Sequence, residues 1–390
     1  MKNIVLFFII ILLTLNGYSQ DLHKIDSLQK TLDKYEFDKN NMGNKFKPIM
    51  DSTKAMILDE LSTEYFGNDT SKAINYANQC LALSKKIGFK KGIAAAYDDI
   101  GIINENHSNY KEALKYFQKA LEIYQELGKQ YGIAQMYSNI GVIYDDMGKH
   151  GEALSNYQTG LFIREEINDS AGMAACIHNM AVVYREDGNY KEALKSQLEV
   201  LKIRSAIGDK RDLAETYINI GNIYSDMDND SAAFANLITG LNLEKEAGNK
   251  FNIGIGYSAL ASLYIKKGQY KDALENVNLS LKLREELGDK TGIAHCYDIL
   301  GTIYEKQEKI DDALSYYIKS YNLFEIVGSK SDMAWLAGDI CDIYFTQKKY
   351  SEALKYENKK LSLAKDLDDK KMEEDTNKDI EKINAEMKKR

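Results

Sequence analysis

Three asparagines recur at a constant step of 40 residues in the middle of the chain: Asn139, Asn179 and Asn219. Asp99 stands at the same place one step earlier. A carboxamide offers both a hydrogen-bond donor and an acceptor, and an extended main chain presents both kinds of group. The chemistry of the row therefore suits contact with a main chain, either that of a bound ligand or that of a neighbouring segment of the same chain.

Charged residues follow the asparagines in the same stretches of sequence. They are Asp145, Asp146, Arg185, Glu186 and Asp226. The set is mostly acidic, so a ligand that lies beside it is expected to have basic character. A plain solvent-exposed face is the alternative. Binding at low and high salt separates the two readings, because salt screens exposed charge pairs.

No set of residues in the sequence has the spacing of a catalytic or metal site. HExxH, GxSxG and Walker-type motifs are missing from it. The string Gly254, Gly256, Ala259 has the GxGxxA form, but no strand pattern precedes it, and a dinucleotide site needs one. The cysteines lie at apolar positions of helical patterns, which predicts buried free thiols; they are Cys80, Cys176, Cys296 and Cys341. The sequence thus predicts a protein that is not an enzyme and holds no cofactor or metal.

The elements that position these residues are set by an internal repeat of 40 residues. Its small-residue position is occupied by Gly101, Gly141, Ala181, Gly221, Ala261, Gly301 and Cys341. An alanine follows twelve residues after each of these, beginning with Ala113, and a weaker copy lies around Leu61, Tyr65 and Ala73. Apolar residues recur at helical spacing between glycine-rich turns, so each unit is predicted to be a hairpin of two helices that buries its apolar face by stacking on its neighbours.

The spacing within one unit resembles the tetratricopeptide repeat. The residues that carry the resemblance are Tyr137, Ile140, Gly141, Tyr144, Ala153, Tyr157 and Gly160. The units are six residues longer than the usual 34 and lack the late proline of the family motif. In this they resemble the longer repeats of kinesin light chains, Rap-type regulators and the exported sensor arrays of Bacteroidetes. The resemblance implies an all-α, right-handed superhelical solenoid of about eight stacked repeats with capping helices.

The resemblance also implies where a ligand binds. In the family the first helix of each repeat lines the concave face, and asparagine at this motif position hydrogen-bonds the main chain of an extended peptide. The predicted groove residues are Asp99, Asn139, Asn179, Asn219, Asp145, Asp146, Arg185, Glu186 and Asp226. The other reading of the asparagines, that they order the stack, stays open at this point.

The two ends of the chain differ from the repeats. Residues 1–19 have the charge, short apolar run and small residues of a secretory signal peptide, which predicts export to the periplasm or beyond the cell. Residues 20–50 are expected to form a helix over 21–36 and then a polar irregular segment. The array is placed at 51–368. Residues 369–390 are expected to form a charged capping helix, with a short dimerising coiled coil as the alternative.

Composition supports a helical chain that does not bind nucleic acid. There is one proline in 390 residues, so few hard stops interrupt the helices. The net charge of −8 disfavours nonspecific binding to nucleic acid or anionic lipid.

Two functions remain open at this stage. The first is an exported scaffold that binds a peptide or protein segment in its groove. The second is a sensory or regulatory subunit that acts with a separate membrane histidine kinase or transcription regulator.

Overall fold

The computed structural model describes residues 22–42, 48–66 and 69–389, and all regular secondary structure in these residues is α-helical. The first eight helices are α1 (Leu22–Met42), α2 (Pro48–Tyr65), α3 (Thr70–Ile87), α4 (Lys90–Asn106), α5 (Tyr110–Glu126), α6 (Gln130–Asp146), α7 (His150–Glu166) and α8 (Ser170–Glu186). The helices after them are α9 (Tyr190–Ile207), α10 (Lys210–Asp226), α11 (Asp230–Ala247), α12 (Lys250–Lys266), α13 (Tyr270–Leu287), α14 (Lys290–Lys306), α15 (Ile310–Val327), α16 (Lys330–Thr346), α17 (Tyr350–Leu367) and α18 (Lys370–Lys388). The predicted all-α repeat fold is confirmed. The predicted signal peptide lies outside the described residues.

The described chain divides into two compact units. The N-terminal unit ends at Met180 and the C-terminal unit begins at Ala181, so the boundary falls inside α8. In the N-terminal unit α2 packs on α3, α4 on α5 and α6 on α7. In the C-terminal unit α10 packs on α11, α12 on α13, α14 on α15 and α16 on α17. These pairs are the hairpins that the repeat predicts.

First helices of consecutive hairpins also contact one another. The helix α2 touches α4 in the N-terminal unit, and α12 touches both α10 and α14 in the C-terminal unit. We call the side of each unit that the even-numbered helices α2 to α16 form its first-helix face. The nine residues of the predicted groove all belong to helices of this face.

The small residue of each repeat allows the two helices of a hairpin to approach closely. A Cβ atom added to Gly141 would lie 2.6 Å from the ring of Tyr157 on the second helix. The same addition to Gly101 would lie 2.4 Å from the ring of Phe117. Ala153, on the second helix, is fully buried. A larger side chain at these positions would overpack the hairpin, at a cost of about 1–3 kcal/mol.

Left-handed residues end the helices, as the glycine pattern predicts. Gly148 has a φ of 67° in the turn between the helices of one hairpin, and Asn168 has a φ of 57° between two hairpins. Glycine and asparagine adopt this conformation at low cost, so the chain reverses direction there without strain.

The N-terminal helix is longer than predicted. The helix α1 continues to Met42, although the sequence predicts irregular structure after residue 36. No glycine or proline interrupts it before Gly43, so nothing in the sequence stops the helix earlier. Ile25 and Tyr35 are buried, and Leu28 and Leu32 pack against the core cluster that contains Ile25, which confirms the predicted apolar face.

The C-terminal helix covers the last hairpin. The helix α18 packs against α17, and Asp369 caps it by accepting a hydrogen bond from the backbone N–H of Met372, at 2.9 Å. Ile383 is buried against Cys341 and Ala353. A terminal repeat needs such a polar cover over its apolar side.

The cysteines are as predicted. All four thiols are free and buried. Burial raises the pKa of Cys80 to about 12. None of the described helices has the length and apolar character that a membrane span needs.

Candidate functional site

The predicted groove residues fall on four first helices. Asp99 is on α4; Asn139, Asp145 and Asp146 are on α6; Asn179, Arg185 and Glu186 are on α8; Asn219 and Asp226 are on α10. The N-terminal unit therefore holds the first part of the set, up to Asn179, and the C-terminal unit holds the rest.

Asn139 joins two consecutive repeats of the N-terminal unit. Its Nδ2 donates a hydrogen bond of 2.8 Å to Oδ1 of Asp98 on α4, and its Oδ1 accepts one of 2.9 Å from Nε2 of Gln135. The side chain is only 7% exposed. Both polar groups of the carboxamide are thus engaged inside the protein, and their partners are side chains.

The hydrogen bonds continue from Gln135 to the start of the next hairpin. Oε1 of Gln135 accepts a bond of 2.9 Å from Nη2 of Arg164 on α7. The Nη1 group of Arg164 donates to Asp169, and Asp169 also accepts a bond of 3.0 Å from the backbone N–H of Gly172 at the beginning of α8. We give the name polar relay to this series of hydrogen-bonded side chains: Asp169, Arg164, Gln135, Asn139 and Asp98.

Two further carboxylates surround the end of the polar relay. Asp59 on α2 and Asp99 on α4 interact electrostatically with Asp98. The pKa of Asp98 is raised to about 7, mainly by burial and then by the charge of Asp59, while the bond from Asn139 opposes the shift. Burial also raises the pKa of Asp59 to about 6, with Glu60 adding to the shift and Lys91 opposing it. Negative charge in this part of the face is therefore poorly compensated.

Sequence reasoning missed Asp98 and Asp59. Asp98 stands next to the predicted Asp99, but the residues at its position in the following repeats are Ser138, His178, Ile218 and Ser258. A position that changes chemistry from one repeat to the next gives no periodic signal. Asp99 itself is 6% exposed, and its carboxyl pKa is raised by burial and then by Asp59 and Asp98.

The other two asparagines of the row differ in exposure. Asn179 is partly exposed, whereas Asn219 is 6% exposed. Asn179 is consequently the member of the row that a ligand reaches most easily. The role of the row in ligand binding stays a prediction.

Most of the charged residues that lie almost two helical turns after the asparagines have partners within their own units. Oδ1 of Asp145 lies 3.9 Å from Nε2 of His150, and Asp145 is 5% exposed. In the C-terminal unit the Nε group of Arg185 donates to Asp226, and both side chains are largely buried. The pair neutralises part of the charge that the sequence assigns to the groove, while Asp146 and Glu186 are partly exposed.

The C-terminal unit has an acidic cluster of its own on the first-helix face. Asp298 on α14 and Asp339 on α16 occupy the repeat positions of Asp98 and Asn139. Burial raises the pKa of Asp298 well above its usual range, and the charges of Asp339 and Asp332 add to the shift. Burial raises the pKa of Asp339 to about 7, with Glu305 and Asp342 adding to it. Carboxylates thus stand where the N-terminal unit has a carboxylate and a carboxamide.

Comparison with known proteins agrees with this architecture. The fold and the repeated first-helix face define a helical-hairpin repeat protein. The sequence model described as tetratricopeptide repeat matches residues 92–166, 173–243, 253–326 and 299–366, which is more than half of the chain. The chain therefore belongs to the tetratricopeptide repeat family. No curated protein sequence matches it.

Solved structures with a similar fold have low sequence identity to the chain. A Rap protein complexed with competence and sporulation factor is 14% identical, with a TM-score of 0.61, over 88% of this chain and 97% of that one. The apo quorum sensor NprR from B. thuringiensis is 20% identical, with a TM-score of 0.58, over 87% and 97%. The Rap conjugation gene regulator of plasmid pLS20, in complex with the Phr* peptide, is 16% identical, with a TM-score of 0.55, over 72% and 75%. At such identities the likeness shows the fold, and it confirms the resemblance to Rap-type repeats at that level.

Proposed function

We propose that the protein is an exported, non-catalytic scaffold that binds a peptide or protein segment along its first-helix face. The observation that carries the proposal is the row of polar side chains on consecutive first helices, from Asp98 and Asn139 to the partly exposed Asn179. Two of the structurally similar proteins were solved in complex with a factor or a peptide, which supports a ligand of the same class.

The ligand is expected to be basic. Asp59, Asp98 and Asp99 lie together in the N-terminal unit, and their pKa values are raised because burial and mutual repulsion disfavour the charged forms. A lysine or arginine side chain would offset this repulsion. The net charge of −8 points the same way and disfavours nucleic acid as a partner.

Export rests on the sequence of residues 1–19 alone, with its lysine, short apolar run and small residues before the cleavage position. Cell fractionation with detection of the mature N-terminus tests it. An intact N-terminus in the cytoplasmic fraction would contradict export and leave peptide binding to be judged separately.

A peptide array tests the binding proposal. Purified mature protein is probed on an array of extended peptides with varied lysine and arginine content, and the variant Asn179→Ala is compared with it. We expect the substitution to weaken binding while the melting temperature stays nearly the same, because Asn179 is partly exposed. The matched control is Asn156→Ala, which removes an exposed carboxamide on the second helix α7, where Nδ2 donates to the carbonyl of Glu152 at 2.8 Å.

Two results would count against the proposal. Equal binding by Asn179→Ala and Asn156→Ala would remove the asparagine row from recognition. A large fall in melting temperature with unchanged affinity would assign Asn179 to the ordering of the stack.

A regulatory subunit is the second candidate. The quorum sensor NprR and the Rap conjugation gene regulator of plasmid pLS20 have a fold similar to that of this chain. In this reading the exposed side of α18 contacts the regulated partner. Because Ile383 of α18 is part of the core, the test reverses charges on the exposed side, with Lys371→Glu and Lys378→Glu, and leaves the helix in place. Unchanged partners in a crosslinking pull-down from the exported fraction would argue against this candidate.

A further inference from the structure

We propose that Asp98 contacts a cationic side chain, a lysine or an arginine, of the bound peptide, and that Asn139, Gln135 and Arg164 are positioning residues that hold its carboxylate in place. This inference rests on the proposed function and names one point of contact within it. Asp98 is outside the groove residues that the sequence predicts.

The two partners of the hydrogen bond between Asn139 and Asp98 differ in their exposure to solvent. Asn139 is 7% exposed and uses its oxygen for Gln135 and one N–H for Asp98, so it offers a ligand little. Asp98 is partly exposed. A carboxylate has about four acceptor positions, and the bond from Asn139 to Oδ1 takes one of them. Asp98 is the member of the pair that can accept a bond from outside.

The polar relay gives the carboxylate a fixed orientation. A lone asparagine can turn its amide by half a rotation at little cost, but each bond of the polar relay requires one orientation of the next group. Arg164 is 4% exposed and donates to both Asp169 and Gln135, so the relay is anchored on a buried cation. Preorganisation of this kind strengthens a charge-assisted contact because the side chain loses less freedom on binding.

The surrounding charges favour a cation as the ligand group. The carboxylate of Asp59 on α2 interacts electrostatically with Asp98, and the positive charge of Lys91 on α4 partly offsets the charge of Asp59. Asp99, the next residue after Asp98 on α4, carries a further acidic group that interacts with both. On α5, the pKa of Tyr124 is raised by burial and then by these carboxylates. The Oδ2 atom of Asp99 is buried and makes no hydrogen bond among the described residues. An added positive charge beside Asp98 relieves repulsion that these residues leave uncompensated.

The first part of the test needs no ligand. The pKa of Asp98 is followed by carbon-13 NMR in the wild-type protein and in Gln135→Leu, which breaks the polar relay without changing a charge. In Gln135→Leu the amide of Asn139 loses the bond that fixes its orientation, so its hydrogen bond to Asp98 is expected to weaken. Because that bond stabilises the charged form of Asp98, the pKa of Asp98 should rise further above the usual range. An unchanged pKa in Gln135→Leu, in a protein with the wild-type melting temperature, would overturn the positioning role.

The second part measures binding of a fluorescein-labelled peptide of Gly-Ser-Lys repeats, with Gly-Ser-Gln repeats as the uncharged probe. We expect Asp98→Asn to weaken binding of the lysine peptide about tenfold and to reduce its salt dependence. Gln135→Leu is expected to weaken it about threefold with the salt dependence unchanged, because no charge is removed. The control Glu112→Gln removes an exposed acid of α5 that pairs with Lys115, and it is expected to bind like the wild type.

The outcomes separate this inference from the proposed function. Lysine and glutamine peptides that bind equally well to the wild type, or equal binding of the lysine peptide by the wild type and Asp98→Asn, would overturn the cationic contact and leave the scaffold role intact. No binding by either probe or by any peptide of the array would overturn the scaffold role and the contact together, while the NMR titration would still decide the positioning role.

Discussion

Asn139 donates a hydrogen bond of 2.8 Å to Asp98, a residue that lies one repeat earlier on a different first helix. The same two repeat positions hold Asp298 and Asp339 in the C-terminal unit. The N-terminal pair thus couples two hairpins by an attractive contact, whereas the C-terminal pair consists of two carboxylates with raised pKa values. A substitution that places an aspartate in the N-terminal pair and one that places an asparagine in the C-terminal pair should therefore change stability in opposite directions.

Replacing Asn139 by aspartate should destabilise the N-terminal unit. We expect Asn139→Asp to lower the free energy of unfolding by about 1–3 kcal/mol near pH 8, because the hydrogen bond is replaced by repulsion between two carboxylates. The loss should shrink towards about pH 4, where a protonated carboxyl can donate to its neighbour. Chemical unfolding at the two pH values measures this difference. Asn156→Asp, on the exposed side of α7, serves as the control, and an equal effect there would remove Asp98 from the explanation.

The reverse change should stabilise the C-terminal unit. In Asp339→Asn the carboxamide can donate to Asp298 as Asn139 does to Asp98, so we expect a gain of about 1 kcal/mol near pH 8. Asp339 has a pKa raised to about 7, and its charged form therefore costs stability only above the usual carboxyl range. The gain should be smaller near pH 4. A variant that is less stable than the wild type at both pH values would contradict this account of the pair.

Buried carboxyls should make the protein less stable in mild alkali than in mild acid. Burial raises the pKa values of Asp59 and Asp332 to about 6, and of Asp98, Asp339 and Glu244 to about 7. A raised carboxyl pKa means that the folded protein holds its proton more tightly, so stability falls as pH rises from the unfolded value through the folded one.

The pKa shift of His295 has the opposite effect on how stability depends on pH. Burial lowers its pKa to about 3, so its contribution to stability is present above the unfolded pKa and is lost as pH falls. One histidine opposes several carboxyls, and we expect the melting temperature to be higher near pH 5.5 than near pH 8. A melting temperature that stays constant or rises between pH 5.5 and pH 8 would contradict the raised pKa values of the buried carboxyls. His295→Phe should remove the decline on the acid side of the maximum.

Two glycines near the same arginine should respond oppositely to alanine. A Cβ atom on Gly292 would lie 1.9 Å from Nη1 of Arg284, which donates to Asp289. The nearest atom to a Cβ on Gly254 is 3.5 Å away, also on Arg284. We expect Gly292→Ala to destabilise by about 1–3 kcal/mol and Gly254→Ala to be neutral or to stabilise by up to about 1 kcal/mol, because alanine favours helix. Urea unfolding of the two variants side by side provides the measurement.

The fold follows from the sequence because its signal is repeated. Gly141 and Ala153 recur at fixed positions in successive units, and each copy strengthens the same prediction of a close-packed hairpin. The buried thiols and the left-handed turns at Gly148 and Asn168 follow from the same register. The length of α1 departs from the prediction, since a stretch of polar residues without glycine or proline fits helix and loop alike. The start of α2 at Pro48, within the segment predicted to be irregular, departs from it too.

The contacts of the candidate site could not be predicted from the repeat pattern. The sequence places Asn139 on a first helix but does not show that Asp98, 41 residues earlier, is its partner, because that offset depends on how neighbouring hairpins rotate on one another. The contact between Arg164 and Gln135 lies within one hairpin, and it depends in turn on how the two helices of that hairpin pack on each other. Single residues that occur in one repeat and not in the others carry the specific chemistry, and periodic analysis averages over them.

The state of the cysteines has a practical consequence for experiments in solution. Because all four thiols are buried and burial raises the pKa of each, maleimide reagents near neutral pH should react with them very slowly. A single cysteine introduced at an exposed position, such as Lys378→Cys on α18, would then carry a fluorophore or spin label without prior removal of the native cysteines. The natural chain is in this respect ready for site-specific spectroscopy.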